Sequence, residues 1–186
     1  MTLKELKRKT LVLIEEYNAK KSSLTDDIDI EAKFNDVANQ NMFEICRIKK
    51  LPKYVEMEVK KGDIITLEDI EGKVGYSIYQ VGLIGNIECE TKASGTVFKM
   101  LESGTAEIDV FVYPEAITNE TKDSYEFELT PDVMEILPYG IAADILSTDV
   151  STGYGKIYRD IYEMKLNRLD PRYHMPSITI EGGASI

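Results

Sequence analysis

One histidine, His174, is the only imidazole in the 186-residue chain. A Ser/His/Asp or Cys/His mechanism would have to run through it, because such nucleophiles need a base that titrates near neutrality. No Gly-x-Ser-x-Gly turn exists to present a serine. His174 follows Pro171 in a C-terminal stretch without helical or strand period, so it reads as a surface or contact residue. It also limits histidine-built metal sites to one such ligand. The two cysteines, Cys46 and Cys89, lie in apolar surroundings. They form no CxxC pair or Cys/His cluster, so they read as buried free thiols rather than a zinc site.

Other candidate chemistry is equally thin. Ser151-Thr-Gly-Tyr-Gly-Lys156-Ile157 has the outline of a phosphate loop. However, Val150 occupies the first glycine position, and Ile157 replaces the Ser/Thr that would bind magnesium. The segment reads as a flexible joint between helices. Asp63, Glu68, Asp69 and Glu71 offer oxygen ligands for calcium, but without EF-hand spacing, and read better as a solvated acidic loop. The acids Asp26, Asp27, Asp29 and Glu31 read as the capped start of a helix, where carboxylates favour free N–H groups and the dipole. With thirty-three acids, carboxylate pairs for glycoside hydrolysis exist by number alone. The chain has no Trp for sugar stacking, though eleven Tyr offer a substitute. The expectation is therefore not an enzyme, with no cofactor and no metal.

The net charge of −11 argues against nucleic-acid recognition, which needs a basic face. The charge is uneven. Residues 1–21 carry six Lys/Arg against three Glu, whereas residues 51–130 carry seven against sixteen acids. The middle of the chain thus stands apart. No apolar run approaches the ~20 residues that span a bilayer, and the charged amphipathic N-terminus is no signal peptide, so a soluble protein is expected.

The elements that would position side chains follow from hydrophobic period. Residues 3–20 repeat apolar groups at helical spacing through Leu3, Leu6, Leu11, Ile14 and Tyr17. A second helix runs to about Lys49 on the stripe Ile30, Phe34, Val37, Ala38, Met42, Ile45 and Cys46, and Pro52 stops it. The period then drops to two: Val55, Met57 and Val59 share one face. Extended segments are expected at 54–60, 64–67, 76–81, 86–90, 96–101, 107–113 and 125–129, with glycines between them. Helical grammar returns at Thr130, Pro131 and Asp132. Pro138 should kink or restart that helix. The last helix spans 154–169, with Ile157, Ile161, Met164 and Leu166 as its apolar residues.

Two helix pairs flanking about seven strands predict an α+β fold. A four-helix core, residues 1–52 and 130–171, is interrupted by an antiparallel β-sandwich insertion at 53–129. An extended C-terminal arm follows at 172–186.

The order and wording of the second half resemble a known family. Glu107-Ile-Asp-Val-Phe-Val-Tyr-Pro-Glu-Ala-Ile-Thr leads to Tyr125-Glu-Phe-Glu-Leu-Thr-Pro-Asp. Ile136-Leu-Pro-Tyr-Gly-Ile-Ala-Ala-Asp-Ile-Leu146 and Tyr158-Arg-Asp-Ile-Tyr-Glu-Met-Lys-Leu follow. The chain resembles head-to-tail connector (adaptor, or neck) proteins of tailed bacteriophages. In these, a strand ending in Tyr leads to a Leu-Pro-Tyr…Ala-Ala helix and then a Tyr-x-x-x-Tyr-Glu helix. Some members carry a β-sandwich between the helix pairs; Tyr76-Ser-Ile-Tyr-Gln-Val-Gly82 and Asn86-Ile-Glu-Cys-Glu90 look like part of one.

The resemblance implies a virion structural protein, made in the bacterial host cytoplasm and residing in the neck. It implies a homo-oligomeric ring, commonly of twelve subunits, that joins the portal protein to the next neck or tail protein. Genomic DNA would pass through without sequence recognition, and no membrane is involved. The family's arm reaches the portal. Here that implies Arg172, Tyr173, Met175, Ile178 and Ile180 as portal contacts, by strand addition of an apolar, β-prone tail. The alternative expectation is a carbohydrate-binding or host-recognition β-sandwich on a phage structural protein.

Overall fold

The computed structural model describes residues 1–15, 28–148 and 153–169, and the fold is α+β. Helix α1 (Leu3–Leu13) starts at a capping box. The Thr2 hydroxyl accepts from the Glu5 N–H, and the Glu5 carboxylate accepts from the Thr2 N–H. Leu3, Leu6, Leu11 and Ile14 are buried, as their spacing predicts. Helix α2 (Ile28–Ile48) buries Phe34, Ala38, Met42, Ile45 and Cys46. Asp26 and Asp27 lie outside the described residues.

Helix α4 (Pro131–Ile145) is the central strut and packs on α1, α2 and α5. Thr130 is its N-cap and Pro131 takes the first turn, as expected. Pro138 does not end it: one helix continues to Ile145. A proline there removes only the bond to the Met134 carbonyl. Burial of Val133, Met134, Ile136, Leu137, Ile141, Ala142 and Ala143 holds the helix from several sides, and each large apolar side chain contributes ~1.5–3 kcal/mol.

Helix α5 (Tyr154–Leu169) has the expected extent but keeps only part of the expected inward face, Leu166 among it. Gly155 and Tyr162 are buried, and Tyr158, Leu166 and Leu169 pack inward. Ile157 and Met164 are each 50% exposed. The tyrosines turn inward with partners for their hydroxyls on other helices: Tyr162 donates to Glu44 at 2.7 Å and Tyr158 to the Leu13 carbonyl at 2.5 Å.

The middle region forms two three-stranded antiparallel sheets. One is ordered β1 (Pro52–Val59), β6 (Gly104–Val112), β3 (Ile78–Gly85); the other is β2 (Ile64–Thr66), β5 (Val97–Met100), β4 (Cys89–Lys92). Their shared core gathers Val59, Ile65, Ile78, Phe98, Met100, Ile108, Val110 and Val112. Alternation along β6 is strict: Ala106, Ile108, Val110 and Val112 are buried and the residues between are not. The strand β3 is irregular against β6, with register shifts on both sides of Val81. A Cβ at Gly82 would stand 3.2 Å from the Phe111 ring.

Two sequence expectations fail here. Residues 67–74 form a helix, α3 (Leu67–Val74), not a loop. Thr66 and Asp69 make a second capping box, and Gly75, at φ +77°, ends the helix in the left-handed conformation. Residues 125–129 are not a seventh strand. One bridge, Thr2 with Glu126, joins this stretch to the N-terminus. The Leu3 N–H donates to the Tyr125 carbonyl at 2.9 Å. The segment therefore serves the helices: Phe127 lies in the helical cluster, with Tyr125 and Leu129 against it. Upstream, Ile117 is also in that cluster, and Asn39 of α2 clamps it, donating to the Ile117 carbonyl and accepting its N–H.

Candidate functional site

Among the described residues, those singled out from sequence are not gathered into a reaction centre. The arm residues Arg172, Tyr173, Met175, Ile178 and Ile180 lie outside the described residues, as do His174, Ser151 and Thr152. Gly153 adopts φ +68°, and a Cβ on Gly155 would stand 2.9 Å from the Leu146 carbonyl oxygen. These glycines therefore serve a close corner between α4 and α5.

The acids of the 63–71 stretch are engaged with backbone. Asp63 accepts from the Lys60 N–H at 2.8 Å, Asp69 from the Thr66 N–H at 2.9 Å, and Glu71 from the Ile78 N–H at 2.6 Å. The Thr66 N–H and then its hydroxyl hold the Asp69 carboxyl below the usual range. Among the described residues, no group of three or more His, Cys, Asp or Glu is disposed to hold a metal ion. Cys46 is buried, and burial pushes its thiol up to about 11. Cys89 is only half-buried, because its short strand lies at the edge of its sheet.

A polar cluster that sequence reading did not find lies between α2, α4 and α5. Asn41 donates to the Asp144 carboxylate at 2.7 Å and to the Val37 carbonyl at 2.9 Å. Asp144 also pairs with Arg159, whose guanidinium sits 5.4 Å from the Tyr162 ring centre. Burial, and then the bond to Glu44, raise the Tyr162 hydroxyl far above the ordinary phenol range. Gly140 makes the arrangement possible. A Cβ there would overlap Asn41 Oδ1 and stand 2.7 Å from Tyr162 Cε2. The network ties three helices in one register.

A second cluster joins the helices to the sheets. Tyr79 donates to the Cys46 carbonyl at 2.7 Å, satisfying one open acceptor at the end of α2. Arg47 donates twice to the Tyr113 hydroxyl, at 2.9 and 2.7 Å. Tyr113 also packs against Phe43 and Tyr79, at 4.9 and 5.0 Å between ring centres. Lys53 sits on the Tyr76 ring and pairs with Glu128 at 2.9 Å. A cleft of about 740 Å³ opens beside these groups, lined by Phe43, Arg47, Tyr76, Tyr113 and Glu115. Tyr76 and Tyr113 are thus already in use, which leaves little free ring face for a ligand.

Among the described residues, α5 carries an exposed apolar stripe. Tyr154, Ile157, Ile161 and Met164 recur at spacings of three and four on its outward side. Tyr154 is 47% exposed, close to Ile157 and Met164. Beside this stripe runs a groove of about 420 Å³ floored by Val12, Leu13, Pro138 and Tyr139. Arg8, Lys9, Lys165 and Glu135 rim it. No helix among the described residues is long and apolar enough to cross a membrane. No protein-family model matches the sequence, and neither does any curated protein.

Proposed function

We propose that the chain is a virion structural protein, a head–tail connector. Its subunits form a ring, commonly of twelve copies, between the portal protein and the next neck or tail protein, with genomic DNA passing through the lumen. The supporting observation is the second apolar stripe of α5. A helix that fills a core with one face and offers Tyr154, Ile157 and Met164 with another is built to meet protein on both sides. The resemblance of residues 107–169 to the connector family supplies the kind of assembly. On this reading the protein is not an enzyme, needs no cofactor and resides in the neck of the particle after synthesis in the host cytoplasm. Arg172, Tyr173, Met175, Ile178 and Ile180 of the arm are the proposed portal contacts.

The test is a mass measurement on the purified chain with and without portal. A closed ring, or one formed on portal, agrees with the reading; a monomer in both conditions refutes it. Deleting residues 172–186 should preserve the circular dichroism spectrum and abolish portal binding. The glycan-binding alternative draws on the aromatic cleft between helices and sheets. It is the weaker one, because Tyr76 and Tyr113 are covered by Lys53, Phe43 and Tyr79. A glycan array probed with the whole chain decides it.

A further inference from the structure

The groove between α1, α4 and α5 has an apolar floor and a mainly basic rim. Val12 on its floor is 55% exposed, and Arg8, Lys9 and Lys165 stand over it against a single acid, Glu135. Lys165 lies one turn beyond Ile161 on α5, which sets the groove beside the apolar stripe. A surface of this make-up fits a partner that sets exposed apolar groups among acidic ones.

The chain itself carries such a surface. The outward face of the β1–β6–β3 sheet presents Glu56 and Glu58 from β1 and Glu107 and Asp109 from β6. The register sets Glu56 directly opposite Glu107, and Tyr54 opposite Asp109. Like charges directly opposed destabilise a sheet, and among the described residues none of these four acids makes an ion pair. Their partners are neutral: Tyr54 for Glu56, Thr105 for Glu58, Asn86 for Glu107. Tyr54 is 53% exposed and Leu83, on the neighbouring strand β3, 64%. Across the sheet Tyr54 and Leu83 flank Asp109, and among the described residues both stay exposed beside these acids.

We infer that the groove and the adjoining α5 stripe receive the outward face of the β1–β6–β3 sheet of a second copy of this chain. Basic rim then meets acidic sheet, and Val12 meets Tyr54 and Leu83. The two patches are different parts of the molecule. Such a contact is head-to-tail, leaves one of each patch open at every step, and closes only as a ring or extends as a filament. The inference rests on the ring-forming part of the proposed function and names the subunit interface within it.

The experiment is sedimentation velocity on the full chain, with two charge-reversed forms. Arg8→Glu/Lys9→Glu alters the rim, and Glu56→Lys/Asp109→Lys alters the sheet. All four side chains are exposed, so both forms should keep the parent's circular dichroism spectrum. Each form alone should self-associate at least tenfold more weakly than the parent. An equimolar mixture should recover association to within a few-fold, because each reversed patch then finds an opposite one. Association should also weaken as salt is raised. If the parent assembles and both altered forms assemble equally well, or the mixture recovers nothing, the inference is overturned while the ring reading stands. If the parent remains monomeric both alone and with portal, the ring reading falls as well.

Discussion

Replacing Gly140 with alanine adds one methyl group where α2, α4 and α5 come together. In an open helix interior this change stabilises by up to ~1 kcal/mol, because alanine has the better helix propensity. Here the methyl would overlap Asn41 Oδ1 and crowd Tyr162 Cε2 and Cδ2 at 2.7 and 2.9 Å. Asn41 and Tyr162 are each 1% exposed, so neither has open space to move into. Overpacking of this kind costs ~1–3 kcal/mol. Displacing Asn41 also breaks its bond to the Asp144 carboxylate, and bonds to charged groups contribute about 1.5–3 kcal/mol. After the propensity gain, a net loss of about 2–4 kcal/mol remains. At about 2–4 °C per kcal/mol for a chain of this size, Tm should fall by roughly 5–15 °C. Thermal unfolding followed by circular dichroism and by calorimetry measures it. Asn41→Ala in the same chain removes the overlapped oxygen, so the double substitution should cost less than the sum of the singles. A Gly140→Ala protein as stable as the parent, or more so, would refute the close approach of these helices.

Three further outcomes follow from the same geometry. In native protein at pH 8 a thiol reagent should label Cys89 and spare Cys46, which is buried with its pKa pushed up to about 11, and both should react in denaturant. Rapid labelling of Cys46 in the native state would contradict its burial. Lys53→Met should cost no more than ~1 kcal/mol, since both partners are partly exposed. Hydrogen bonds from Lys53 and then Tyr76 hold the Glu128 carboxyl below its usual range. Its contribution is therefore present above the ordinary Glu value and lost as pH falls through the depressed one. Denaturant titrations of parent and variant should then converge only once the pH has fallen below the ordinary Glu range. Finally, Ile157→Ser with Met164→Ser should leave Tm within a few degrees of the parent and weaken assembly. A large loss of Tm would place this stripe inside the subunit.

Much of the architecture was legible in the order of the residues. The change of hydrophobic period at Lys53, its return at Thr130, and the strict alternation from Ala106 to Val112 report burial directly, because side chains recur every 3.6 residues on a helix and every two on a strand. Local chemistry was legible too. Thr130-Pro131-Asp132 marked α4, and the two capping boxes, Thr2 with Glu5 and Thr66 with Asp69, were there to be read. The second would have identified α3, where a run of acids instead suggested a loop.

Tertiary packing decided the rest. Residues 125–129 alternate as a strand does, yet they spend their backbone bonds on the N-terminus and their Phe127 ring on the helices, since a local pattern does not name its partner. Hydropathy ranked Ile157 and Met164 above Tyr158 and Tyr162 for the inward face of α5. The fold reversed that order, because Leu13 and Glu44, from other helices, satisfy the tyrosine hydroxyls. Gly140 takes its role only from the approach of Asn41 and Tyr162. The sequence alone thus determined most of the helices and strands, apart from α3 and residues 125–129, and where most of the charge lies. Which faces turn inward, and so which are left for a partner, depends on contacts between residues more than a hundred positions apart, and those exist only in the folded chain.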